Sequence, residues 1–362
     1  MARSRRPLPA VLVALGLLLA VTQPLPAQAA GPPSSAAART APAAVAALAA
    51  TGSAVVARAP RPVKGISMQQ LLPYWGANAP GITSDLADAQ AVGATWARVS
   101  LPYGAAATGQ LARVVAAAKA HRVRLVVVLE KPAPLNDLGT AANRAVYRSW
   151  VVGTVRRFRA SVKYWEIFNE PNLRSSWNID NRLGSNQTVY AAAVRRYVAL
   201  LVDGYRAVKA ADPKAVVVFG GLSESTVERY LAVLLTTSAW RYFDVMSFHP
   251  FGRTPVKVMG RYNALKVRLN ARSGWARKPI WVTEVGFNTS WTSKGGYVPN
   301  EKVKAAYLGD TVRRLFDATR RPVFWHNLHG ADPAHPGFGL ETKDKATLAV
   351  RRLPAFTTFR AL

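Results

Sequence analysis

Two of the chain's eight glutamates, Glu170 and Glu284, each close a run of apolar and β-branched residues. Glu170 follows Tyr164-Trp165-Glu166-Ile167-Phe168 by one asparagine, and Glu284 directly follows Ile280-Trp281-Val282-Thr283. Carboxylates at the ends of buried strands are costly unless they have partners or share a proton. A pair of them is what glycosidic cleavage uses. One carboxyl protonates the leaving oxygen, and the other attacks the anomeric carbon or activates water. Either glutamate alone reads more simply as a strand-end salt bridge. Taken with their flanking residues, the two read as a catalytic pair.

The elements that must position them are legible as an alternation. Candidate strands are Val63–Met68, Thr95–Ser100, Arg124–Leu129, Lys163–Phe168, Ala215–Phe219, Phe243–Phe248, Pro279–Thr283 and Pro322–His326. Between them lie helical stretches such as 109–121, 141–160, 189–211, 225–238 and 301–318. Eight strands alternating with helices fit a closed barrel or a doubly wound open sheet. No GxGxxG or GxxxxGK[ST] follows the first strand, which counts against a nucleotide-binding sheet. The α/β reading adopted is a single-domain (β/α)8 TIM barrel. Polar residues collect where strands end: Arg98 and Ser100, Glu130, Asn169 with Glu170, His249, Glu284 and His326. In such barrels the C-terminal rim of the strands carries the active site.

Here the pattern becomes specific. Trp165-Glu166-Ile167-Phe168-Asn169-Glu170-Pro171-Asn172 resembles the acid/base motif of clan A glycoside hydrolases, in which Asn-Glu-Pro ends the fourth strand. Trp281-Val282-Thr283-Glu284-Val285-Gly286 resembles the clan's nucleophile strand, the seventh. The 114 residues between the glutamates fit three intervening strand–helix units. The resemblance covers about Val63 to Leu362 and is nearest to families 39 and 5.

It implies a retaining mechanism, with Glu284 as nucleophile and Glu170 as acid, then base. Retention needs the two carboxyls about 5–5.5 Å apart. It also implies that Arg98 lies beside the nucleophile, although Arg98 could equally pair with Glu166. Asn169 matches the asparagine that contacts the sugar 2-hydroxyl, or else tethers the following loop; His249 matches the sixth-strand histidine, or is structural; Trp325 matches the eighth-strand tryptophan that floors the sugar, or is plain core packing. One departure stands out. Many members carry a tyrosine two residues after that histidine to support the nucleophile, and this chain has Phe251. Trp75, Trp177, Trp291 and Tyr297 follow strands one, four or seven, where aromatic faces could stack on sugar rings.

The remainder bounds compartment and partners. Arg3, Arg5 and Arg6, the apolar run Val11 to Val21 and Ala27-Gln28-Ala29 read as a signal peptide over residues 1–29. The apolar run is too short for the ~20 residues of a membrane span, so no stable membrane insertion is expected. Residues 30–60, rich in Ala, Pro, Ser and Arg, read as a flexible linker, and 61–362 as the catalytic domain. The expected protein is therefore secreted, extracellular or wall-associated.

The formal charge of +29 should attract polyanions, or else marks a basic surface with no specific ligand. The expected partner is an oligo- or polysaccharide; the charge points to an acidic one without fixing the sugar beside Glu170. No cofactor and no metal are expected, since the histidines lack H-E-x-x-H spacing and the chain has no cysteine. No G-x-S-x-G elbow or nucleic-acid motif is present.

Overall fold

Strand formation follows the predicted runs closely. In a computed structural model, residues 60–130, 140–173, 187–290, 300–330 and 337–362 are described. The strands are β1 (Lys64–Ser67), β2 (Trp96–Leu101), β3 (Arg124–Leu129), β4 (Tyr164–Ile167), β5, β6 (Met246–His249), β7 (Ile280–Val285) and β8 (Val323–His326). β5 comes in two pieces, Val216–Phe219 and Leu222–Ser223. All neighbours pair in parallel, and β1 joins β8 as well as β2. The two pieces of β5 occupy the ends of the hydrogen-bonded order and both meet β6. Val218 bridges to Val245, and Leu222 pairs with Phe248. The sheet is thereby closed into an eight-stranded barrel.

Helices return the chain between strands: α1 (Leu71–Trp75), α2 (Ala79–Ala91), α3 (Ala105–Ala120), α4 (Ala141–Phe158), α5 (Gln187–Ala211), α6 (Val227–Leu234), α7 (Pro255–Asn270), α8 (Glu301–Thr319) and α9 (Pro354–Ala361). Their inner faces obey helical spacing. In α4 the buried residues are Tyr147, Val151, Val155 and Phe158, and in α5 they include Tyr190, Val194, Tyr197 and Leu201. Side chains of Asn78, Thr140, Thr254 and Asn300 accept the first-turn amides of α2, α4, α7 and α8. Helices α1, α2, α7 and α9 lie outside the stretches named from sequence. A two-stranded hairpin, β9 (Glu341–Lys343) with β10 (Val350–Arg352), is also additional.

Strand alternation sorts the barrel into two cores. Ala97, Val99 and Leu101 of β2 face the helices, whereas Trp96 joins Val126, Val218, Val245, Trp281 and Phe324 inside the barrel. This aromatic plug seals the end where the strands begin. Gly65 is part of it: a Cβ there would sit 2.5 Å from the Phe324 ring. Above the plug, the inward positions of β2 and β4 are Arg98 and Glu166, so the barrel turns polar toward its mouth.

The expected catalytic domain falls in one compact unit, residues 59–362. The signal and linker segments, 1–29 and 30–60, lie outside the described residues apart from Pro60. No helix among the described residues is long and apolar enough to cross a membrane.

Candidate active site

Strand periodicity alone would turn Glu284 away from the barrel, because Thr283 before it faces inward. β7 solves this with a bulge. Val282 pairs with Val323 and Val285 with Trp325, so three steps on β7 match two on β8. The extra residue lets both Thr283 and Glu284 present their side chains to the mouth. A different device serves β4. Phe168 (φ 68°) and Glu170 (φ 47°) adopt left-handed backbone, uncommon for residues with a Cβ. That turn delivers Asn169 and Glu170 to the same mouth.

Arg98 organises the acids. Its Nε and Nη2 donate to the two oxygens of Glu166 at 2.7 and 2.8 Å, and Nη2 also donates to Asn169 Oδ1 at 2.8 Å. Nη1 donates to Glu284 Oε1 at 2.5 Å. Arg98 and Glu166 have no exposed surface. The two roles open to Arg98 from sequence are both present in one network. Burial acts to lower its pKa, but Glu166 and then Glu284 more than offset this, leaving it firmly cationic.

Glu284 has two further donors that sequence reading missed, Gln69 and Ser67, and stands near His326, which sequence reading placed at a strand end. Gln69 Nε2 donates to its Oε1, as does Ser67 Oγ at 3.4 Å, and His326 Nδ1 stands 3.5 Å from Oε2. Phe251 packs its ring edge-on near His326 and Phe338, at centroid distances of 6.0 and 5.7 Å. Gln69 lies two residues beyond β1, and scanning every strand for polar residues just past its end would have found it.

His249 joins the two glutamates. Its Nδ1 is 2.9 Å from Glu170 Oε1 and 3.9 Å from Glu284 Oε2, so these oxygens are under about 7 Å apart. Its Nε2 is 3.0 Å from Thr283 Oγ1, which in turn contacts Ser247 Oγ. Gly221 is required beside it, because a Cβ there would meet His249 Nε2 at 2.1 Å. The Gly221 amide also donates to Glu166 at 2.8 Å. Burial is the main force on the imidazole and takes its pKa down to about 4, against the pull of Glu284. The ring is neutral at pH 7.

A third carboxyl, Glu130, ends β3 and accepts Ser100 Oγ at 2.8 Å. Burial raises its pKa to about 7, with Ser100 and Arg98 opposing.

Two sequence expectations need correction. Trp325 does not floor a sugar site. It is 0% exposed, lies in the strand–helix core, contacts Tyr307 and donates its indole N–H to Phe338 O at 3.1 Å. The residue of β8 that reaches the site is His326. Trp75 is likewise buried, donating to Asp85 at 2.6 Å and packing against Gly81. Trp177, Trp291 and Tyr297 lie outside the described residues.

No protein-family model matches the sequence, and no curated protein does. Solved structures do match. One is a family 39 glycoside hydrolase from the gut symbiont Bacteroides cellulosilyticus WH2, with TM-score 0.61 and 18% identity, covering 83% of this chain. The chain spans 62% of that structure's length. The virulence factor SghA from Agrobacterium tumefaciens gives TM-score 0.61 at 13% identity, over 83% of this chain and 96% of SghA. SghA in complex with its substrate analog salicin gives 0.62 at 13% identity, over 83% and 95%. At such identities the likeness establishes the fold, a (β/α)8 barrel shared with a family 39 glycoside hydrolase of clan A.

Proposed function

We propose that the protein is an exported retaining O-glycosidase acting on an oligo- or polysaccharide, with Glu284 as nucleophile and Glu170 as acid/base. The observation that carries this reading is the approach of both carboxylates to one nitrogen of His249. Two oxygens under about 7 Å apart suit retention, which needs carboxyls ~5–5.5 Å apart, better than inversion at ~6.5–9.5 Å. The likeness to a family 39 glycoside hydrolase supports the same reaction class.

The surroundings of the two acids differ as the mechanism requires. Glu284 receives hydrogen bonds from Arg98, Gln69 and Ser67. Glu170 instead faces a neutral imidazole. As acid, Glu170 is protonated and donates to His249 Nδ1, while Nε2–H donates to Thr283. Once Glu170 has given up its proton, the other tautomer, Nδ1–H, donates to the anion. A ring that can do either holds Glu170 through both half-reactions. Glu284 attacks the anomeric carbon as the leaving oxygen takes Glu170's proton. Water then displaces Glu284, with Glu170 removing the water's proton. Asn169, which accepts from Arg98 at 2.8 Å, binds the 2-hydroxyl in this reading.

The test compares wild type with Glu284→Ala on aryl glycosides and a polysaccharide panel, with product analysis. Glu284 as nucleophile requires a loss of about 10⁴-fold or more. Saturable sugar binding with equal or absent turnover in both proteins would favour a non-catalytic carbohydrate-binding barrel.

A further inference from the structure

Exposed positive charge lines one end of the barrel. All eight strands run parallel, so the turns entering them share one face, opposite the mouth. Those turns carry Arg61, Arg122, Arg124, Lys214, Arg277 and Arg321, every one exposed and none in an ion pair among the described residues. The acids nearby are already engaged. Asp212 accepts Lys163 at 2.7 Å, Asp244 accepts Lys209 at 2.8 Å, and Asp317 accepts Arg320 at 3.2 Å. At the mouth, Glu166, Glu284 and Glu130 act on the buried Arg98, and Glu224 pairs with Arg261 at 3.4 Å in a cavity also lined by Arg253 and Lys257. The basic residues of the entering turns thus lack the acidic partners that the mouth supplies.

The basic face is not flat. A cavity of about 350 Å³ is lined by Trp240, Asp244, Ser273, Gly274, Arg277 and Lys278, with Asp244 held by Lys209. Trp240 lies so close to Gly274 that a Cβ there would meet its ring at 2.6 Å. A second cavity, about 360 Å³, is edged by Lys119, Arg124 and Ser161. An indole beside a guanidinium and an ammonium offers a sugar ring a stacking face and its acidic group a charged partner.

We propose that this face binds an acidic polysaccharide, with one acidic residue seated beside Trp240, Arg277 and Lys278. A polymer held here leaves the catalytic mouth free. The proposal does not depend on the glycosidase reading.

The test uses the full chain, with polygalacturonate, neutral dextran and anionic phospholipid vesicles as probes. The variant Arg122→Glu, Lys214→Glu, Arg277→Glu, Arg321→Glu removes the face. A matched variant, Arg195→Glu, Arg196→Glu, Lys266→Glu, Arg313→Glu, makes the same charge change on outer helices. We expect the first to lose at least tenfold in polygalacturonate affinity, with the log–log salt slope reduced by about three. The matched variant should stay within about twofold. Trp240→Ala, at constant charge, should weaken polygalacturonate binding several-fold. Equal losses in the two charge variants, no effect of Trp240→Ala, or binding to vesicles but not to polygalacturonate would each overturn it.

Discussion

The guanidinium of Arg98 meets the carboxylate of Glu284 at 2.5 Å while its opposite edge grips Glu166 with two hydrogen bonds. One cation thus holds two buried acids, and its removal leaves both uncompensated. Breaking such a pair costs about 3–5 kcal/mol. Arg98→Met should lower stability by that order, read by urea unfolding. Arg98→Lys should recover little, because an ammonium cannot span both carboxylates. Full stability in Arg98→Lys would contradict the bridging role.

Gln69 is a rim residue whose amide donates to Glu284 Oε1. A hydrogen bond to a charged group contributes about 1.5–3 kcal/mol. Gln69→Ala should lower kcat roughly 10- to 100-fold while the melting temperature holds, since Gln69 is only partly buried. Unchanged kcat would remove Gln69 from the site.

Thr283 acts through His249. Without its hydroxyl, the Nε2–H tautomer loses its acceptor, and so does the protonated form of Glu170 that depends on it. Thr283→Val should move the alkaline limb of the kcat/KM–pH profile to lower pH. Thr283→Ser should restore it. A uniform loss of rate at every pH would indicate packing alone.

Glu341 is fully buried, and neither of its oxygens has a hydrogen-bond partner among the described residues. Burial raises its pKa from 4.5 to about 8, with Asp88 adding to the shift. As pH rises from 4.5 toward about 8, the unfolded chain releases this proton while the folded chain keeps it, so stability falls across that window. Glu341→Gln should flatten the decline in melting temperature between pH 5 and 8.5 by a few degrees. An unaltered decline would place the titration elsewhere.

The barrel was legible in sequence because its eight strands are short β-rich runs, six of them ending in polar residues. Local geometry was not. Period-two alternation assigns Thr283 and Glu284 to opposite faces, and only the β7 bulge reconciles them. The same limit explains Trp325: placing the eighth-strand tryptophan at the site ignored register, which turns Trp325 to the helices and His326 to Glu284. Gln69 was missed because one amide beyond a four-residue strand carries no pattern. Arg98, Glu166 and Asn169 were named individually, but their union in one network depends on the parallel pairing of β2, β3 and β4. Glycines at positions 65 and 221 leave room for Phe324 and His249, a need visible only once the barrel closes.

The most direct measurement is to incubate the protein with a panel of 2-deoxy-2-fluoroglycosyl fluorides and locate any adduct by peptide mass spectrometry. Glu284 as nucleophile predicts one stable glycosyl ester, on the peptide containing Trp281 to Phe287, absent in Glu284→Ala. Hydrolysis of the parent glycoside with inversion and no adduct, or an ester on Glu170, would contradict it.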